Sequence, residues 1–471
     1  MLNNINKILI VFFTAIVFTS CNKEKLNPVP ETQFVEEQAF ATPDRILQQV
    51  LGVYTQTKNG NFLGGRAIMY GDVRGSEWLN VTNNGVTALQ IWNHSVVSTD
   101  NQVEGMWSVG YNAINRANIV LKGLDDNPTI ISTAQANIYR AEARFLRALD
   151  FFYLTTFYGK KPYAADMGAS LGVPLRLTAN KGPGNESLVR STQAQVFAQI
   201  LADLTFAETN LPLTNGNAEN NVVRVHRNAA IALKTRIYLQ MGDYPNVITE
   251  ANKLVPLVAP FTATSGIAHT LSASFTNVFR TPYQALESVF SFPMNNTNPP
   301  GVQNGLSLYQ NNEFGLNTGA TGILADPNWK ATDTRRTLVT SANRYQKFND
   351  DLNNYVPILR WAEVLLNTAE ALARQSAPID TRALAILNAV RQRSDATTTF
   401  APLTKTDLIN LILNERRIEL LGEGHRMWDI QRQNLSFPAK GSAPSVAPTA
   451  QNYVWPIPAS ELLYNSACVP N

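Results

Sequence analysis

Residues 408–432 read LINLILNERRIELLGEGHRMWDIQR, and the fold is decided by how this stretch is read. Thr404 with Asp407 three residues on is a capping-box start, and Leu408, Leu411, Ile412 and Ile418 recur at helical spacing, so a core-facing helix begins here. Glu415, Arg416, Arg417 and Glu419 interrupt a helix that is apolar on most sides. Buried charge needs partners, so these residues predict mutual pairing and backbone contacts. Gly422 and Gly424, around Glu423, end the helix or permit close backbone approach. After His425, a second short helical run carries Trp428 and Ile430, with Arg426, Asp429 and Arg432 three apart on one face. The pattern predicts an ion-pair knot locking two helices. Nothing in it activates a nucleophile.

Working outward, the same period returns elsewhere. Thr42 and Pro43 open a helix to about Thr57, Thr99 with Gln102 forms a capping box for a helix to about Leu124, and Ser132 or Thr133 opens the next. Residues 139–158 are apolar nearly all round and therefore deeply buried. Thr192 with Gln195 caps a further helix, and residues 228–255 pair two helices across a Gly-Asp-Tyr turn like a tetratricopeptide (TPR) unit. Helix is expected again from Pro357, and Asp380 caps its partner. Two stretches lose the period: residues 58–98, and residues 256–355, in which only residues 287–292 read as a strand. The expected fold is mainly α, a TPR-like helix-pair scaffold with long loop-rich insertions and a few short strands. Its N-terminal part covers about 41–260, the insertion about 256–355 and the C-terminal helical part about 356–471.

Composition narrows the function. The 471 residues are 44% hydrophobic, ordinary for a chain with a real core, and the formal charge of +3 is no footprint for nucleic acid. Residues 1–20 hold Lys7, an apolar run from Ile8 to Phe18 and then small residues, the order of a secretory signal too short to span a membrane. Cys21 follows, the arrangement of a bacterial lipoprotein, and residues 21–40 read as a lipidated tether. The other cysteine is Cys468, and two residues at opposite ends do not make a disulfide framework.

The ERRIELLGEGHRMWDIQR of residues 415–432 resembles the C-terminal signature of the SusD/RagB family of nutrient-binding outer-membrane lipoproteins of Bacteroidetes. The likeness extends, in order, to INRAN (114–118), AEARFLRALDFFYLTTFYG (141–159), the GDY turn, DTRR (333–336), LRWAEVLLNTAEAL (359–372), LNAVRQR (387–393) and IPASELLYN (457–465). The resemblance implies a TPR-like scaffold under a loop-rich binding face. It also implies a surface-exposed lipoprotein that catches an oligosaccharide or peptide and closes it into a SusC-like TonB-dependent transporter. No cofactor or metal is implied.

Carbohydrate sites combine aromatic platforms with amides, carboxylates and guanidinium groups for hydroxyls. Trp107, Trp361 and Trp428 lie in helical periods and read as core, and Trp455 as packed. Trp78, Trp92 and Trp329 fall in the insertions, so Trp78 and Trp329 are the expected platforms, with Trp92 and Tyr309 behind them. Asp72, Arg74, Glu77, Asn83, Asn84 and Asn93 are the polar candidates, which favours a glycan over a peptide. A surface glycosidase would need paired carboxylates in a cleft, whereas Asp125 with Asp126 and Asp350 with Asp351 are sequence neighbours that point apart. No HExxH, metal-spaced cysteines, G-x-S-x-G or phosphate loop occurs, and His425 reads as a structural hydrogen-bonder rather than a base. A TPR-type adaptor that binds only protein is the remaining alternative.

Overall fold

The computed structural model describes residues 38–182, 187–350, 353–376 and 378–471. The expected signal segment, the expected lipidation site Cys21 and nearly all of the expected tether lie outside the described residues. In chain order the main helices are α1 (Pro43–Thr57), α2 (Arg66–Val73), α3 (Asn101–Asp126), α4 (Thr133–Tyr158), α5 (Gln193–Asn210), α6 (Arg227–Met241) and α7 (Tyr244–Ala251). They continue with α8 (Trp361–Gln375), α9 (Thr381–Ser394), α10 (Lys405–Glu419), α11 (Arg426–Gln431) and α12 (Ala459–Tyr464). The strands are β1 (Trp78–Asn80), β2 (Ser288–Phe292), β3 (Phe314–Leu316) and β4 (Val356–Arg360).

Helix starts follow their caps. Thr42 accepts from the Arg45 amide with Pro43 behind it, Ser132 accepts from Gln135, and both Thr192–Gln195 and Thr404–Asp407 close complete capping boxes. The Thr99–Gln102 box does not form. Asp100 takes the N-cap position of α3 and spends its carboxylate on the Val97 amide at 2.9 Å, while Gln102 reaches across to the Gly85 and Val86 carbonyls. Gly242 ends α6 in the left-handed region at φ +74°, and Asp243 caps α7 across the expected turn.

The helices stack in series. α1 packs on α3, α3 on α4, α4 on α5, α5 on α6, α6 on α7 and α7 on α8, which also meets α9 and α10. The buried apolar side chains, from Phe40 to Cys468, form one nearly continuous core. This is the TPR-like helical scaffold expected from the sequence.

The irregular stretches are more ordered than their sequence suggests. Residues 58–98 contain α2 and β1, and the expected helix from Pro357 is first a strand, β4, with α8 beginning at Trp361. β1 runs antiparallel to β3 with Trp78 opposite Leu316, and β2 antiparallel to β4 with Phe292 opposite Val356. Both pairings join segments far apart in the chain, so no local alternation announces them. They pin the insertion to the scaffold at two places.

Candidate functional site

Most of the charges of residues 415–432 are buried, with Arg417 and Arg426 partly exposed. Glu419, on α10, is fully buried and accepts from Arg335 at 2.7 Å, Arg360 at 3.0 Å and Arg393 at 2.5 Å. Glu415 pairs with Arg335 and Arg391, which both also hold Asp333. Burial alone would push the Glu419 carboxyl up, but Arg393, Arg360 and Arg335 outweigh it and hold the group well below the usual carboxylate range. Glu423 joins Arg360 and Lys347. Arg416 and Arg432 share Asp429, and Arg432 also grips Glu370. Arg426 leaves the face it was expected to share with Asp429 and Arg432 and turns to Glu77 at 3.0 Å, beside Arg417. The mutual pairing expected of these charges is present, and it takes in partners from the insertion as well as from helices. His425 is buried edge-on against Trp428, ring centroids 5.4 Å apart, with Nδ1 4.0 Å from Glu363. It packs where a hydrogen bond was expected, and burial, with Arg236 and Arg416 nearby, keeps it neutral.

The expected platforms are not at a surface. Trp78 is 0% and Trp329 1% exposed, and both meet Tyr345 edge-on, with centroids 6.4 and 6.3 Å from it. Trp92 donates to the Trp78 carbonyl at 2.8 Å beneath the Lys440 ammonium, and Tyr309 lies parallel to Phe314 in the core. No ring face of these four is free for a sugar, because the insertions close over the scaffold and merge with its core. Asp72 is consumed by the backbone amides of Gly422, Gly424 and Arg426, and Gly424 packs against α2 at φ +85°. Arg74 donates to the Tyr453 and Asn452 carbonyls and covers the Phe437 ring. Glu77 is buried between Arg417 and Arg426. Burial pushes its carboxyl up, but the two cations outweigh this and hold it low. Asn83 is exposed in a left-handed turn, Asn84 donates to Glu313 at 3.1 Å, and Asn93 is half-buried at the end of the helical turn Leu89–Trp92. These three amides remain near the surface, away from the lining of the cleft described next.

A cleft of about 750 Å³ opens elsewhere, between the face of α3 from Glu104 to Asn118, the segment 175–180 and α12 with Asn465. Trp107 lies at its base, 3% exposed, and its indole N–H donates to Glu461 at 3.2 Å. Tyr111 packs beside it with centroids 4.8 Å apart and donates its hydroxyl to the Pro174 carbonyl at 2.8 Å. Burial, with Glu461 adding to it, pushes that hydroxyl above its usual range, so it stays a donor. Glu461 further accepts from Arg176 at 3.2 Å and from Asn465 at 2.7 Å. Asn115 exchanges hydrogen bonds with the Asn180 backbone at 2.7 and 2.8 Å, and Asn118 donates to the Arg176 and Thr178 carbonyls. These bonds fix the wall before any ligand arrives. Tyr464, 77% exposed, borders the cleft, and the exposed Asn112 of α3 borders it too.

Sequence reasoning missed this site. The segments 114–118 and 457–465, which stand out as motifs, do supply much of its wall, but nothing local shows that they face each other. Among the described residues no group of His, Cys, Asp and Glu could hold a metal ion, and no helix is long and apolar enough to cross a membrane.

A stacked-helix scaffold with a pre-built cleft of aromatic and amide groups is a class of binding protein, and comparison with known proteins gives the family. A SusD-like family model described as "Starch-binding associating with outer membrane" matches residues 31–239, and the SusD family model matches residues 289–471. A SusD superfamily protein from Bacteroides fragilis superposes with a TM-score of 0.84 at 32% identity, covering 91% of this chain and 99% of that one. A second, from Bacteroides thetaiotaomicron, gives 0.79 at 25% identity over 91% and 99% of the two chains. SusD-like protein P2 of Formosa agariphila is 23% identical over 98% of both chains. The chain belongs to the SusD superfamily.

Proposed function

We propose that this protein is a lipid-anchored, surface-exposed outer-membrane lipoprotein that captures an uncharged oligosaccharide in the Trp107–Tyr111–Tyr464 cleft and delivers it to a TonB-dependent transporter, without catalysis. Tyr464 carries the reading: a large aromatic ring left in water beside a fixed wall of amides and backbone carbonyls is the arrangement that accepts the apolar face of a sugar. The family description, starch-binding and associated with the outer membrane, supports both halves. Charge selects the class. Glu461 is neutralised by Arg176, and Glu104, which accepts from Ser460, adds a carboxylate, so an anionic glycan would meet repulsion. Glu461 is tied to Trp107, Arg176 and Asn465 and serves as a wall rather than as an acid.

The test is calorimetric titration of the full chain against neutral oligosaccharides, with anionic ones and a peptide mixture as comparisons. One neutral class should bind saturably and survive unhydrolysed. Tyr464→Ala should weaken it by about tenfold, while Val302→Ser, an exposed change far from the cleft in sequence, leaves it unchanged. Saturable binding of peptides with silence from every glycan would replace this reading with a peptide-import one.

A further inference from the structure

Across α3 from the cleft lies a second hollow of about 480 Å³, lined by Gln49 and Gln56 of α1 and by Asn112, Asn115, Arg116 and Ile119 of α3. Asn112 and Asn115 belong to both walls, so the two hollows meet over a single turn of helix. Gln49 and Gln56 are two turns apart on one face of α1, about 10 Å along its axis. Gly52 lies between them, and a Cβ there would stand 3.6 Å from the Arg116 guanidinium, which therefore rests beside bare helix backbone.

The two walls differ in how their polar groups are used. Asn115 and Asn118 are bonded to the 176–180 segment, as described above. The side chains of Gln49, Gln56, Asn112 and Arg116 make no hydrogen bond or ion pair among the described residues. They present donors and acceptors along a groove whose one apolar side chain is Ile119. Such a surface cannot hold a free sugar well, because hydrogen bonds to exposed amides only replace those made with water. It can hold the continuation of a ligand already anchored next door, when the second contact is intramolecular. The combined volume also exceeds the range of about 300–1,000 Å³ usual for a compact small-molecule pocket.

We infer that the groove of Gln49, Gln56 and Arg116 is an extension subsite, and that the ligand is a linear oligosaccharide of several units running from Tyr464 over Asn112 to α1. The inference rests on the glycan reading of the cleft. Its test uses the full chain and length ladders, from disaccharide to octasaccharide, of α-1,4-glucan, β-1,4-glucan, xylan and mannan, titrated by calorimetry. For the class that binds, affinity should rise by about tenfold or more from trisaccharide to heptasaccharide. The triple variant Gln49→Ala, Gln56→Ala, Arg116→Ala should erase that gain and leave trisaccharide binding unchanged. Affinity flat with length, or a gain that the variant does not remove, would overturn the extension subsite while leaving the cleft as a short-glycan site. Failure of every ladder at every length would bring down the cleft reading with it.

Discussion

Trp78 and Trp329 show why an aromatic residue in an irregular segment is hard to assign from sequence. Both stand in segments without helical period, and from sequence alone an aromatic there is either a platform or part of a core that has no local signature. Burial on either side of Tyr345 decides for the core. The rings of Trp107 and Tyr464, which do border the cleft, lie in segments that read as helix and closing tail, where an aromatic attracts no functional suspicion. Only the fold separates the two groups. The consequence is measurable: Trp78→Ala or Trp329→Ala should cost about 3–5 kcal/mol of stability, the usual penalty for emptying a large buried aromatic site, read as a fall in the urea midpoint. The protein that remains folded should keep its glycan affinity. Unchanged stability with lost binding would restore these two residues as platforms.

Among the elements, α10 is the best read from sequence, since its capping box, apolar face and interrupting charges are all local and all realised. The same holds for α1, α4, α5 and the α6–α7 pair. β1, β3 and β4 were illegible because three to five residues carry too little pattern and their partners are remote: Trp78 pairs with Leu316, and Ser288 with Arg360. The charges of α10 were legible as a demand for partners but not as a list of them, since Arg335, Arg360 and Arg393 come from the insertion, β4 and α9. That demand sets a prediction. Glu419→Gln leaves three buried guanidinium groups short of one shared counter-charge and should cost about 3–5 kcal/mol, lowering the thermal midpoint and the soluble yield. Asp126→Asn, which removes an exposed pair with Lys122, should change stability by no more than about 0.5 kcal/mol. Equal effects from the two substitutions would mean that the buried cluster contributes no more than a surface pair.

At the scale of the whole molecule, a pair of buried histidines where the insertion meets the helical scaffold makes stability depend on pH. His226, at the N-cap of α6, lies 2.9 Å through Nε2 from the Val289 carbonyl of β2. His269 lies 2.8 Å through Nδ1 from the Leu286 carbonyl and stacks between His226 and Trp361. Each ring has one nitrogen within hydrogen-bond distance of a strand-side carbonyl and donates its proton there, so both are neutral imidazoles with that nitrogen protonated. Burial drives His226 down to about 3, with His269 adding to the shift, and His269 down to about 4, both from 6.5. Their folded values lie below the unfolded one, so the unfolded chain binds more protons as the medium acidifies. The stability these rings contribute is therefore fully present above about pH 6.5 and is lost as pH falls towards 4 and then 3, at about 1.4 kcal/mol per pH unit for each ring. His269→Gln keeps an amide donor for Leu286 and removes one titrating group. Urea unfolding of the variant and the parent between pH 7 and pH 4.5 should then show a shallower loss in the variant, by about 1.4 kcal/mol per pH unit. Parallel curves would mean that this junction does not exclude protons, and that the insertion opens from the scaffold before the rest of the fold gives way.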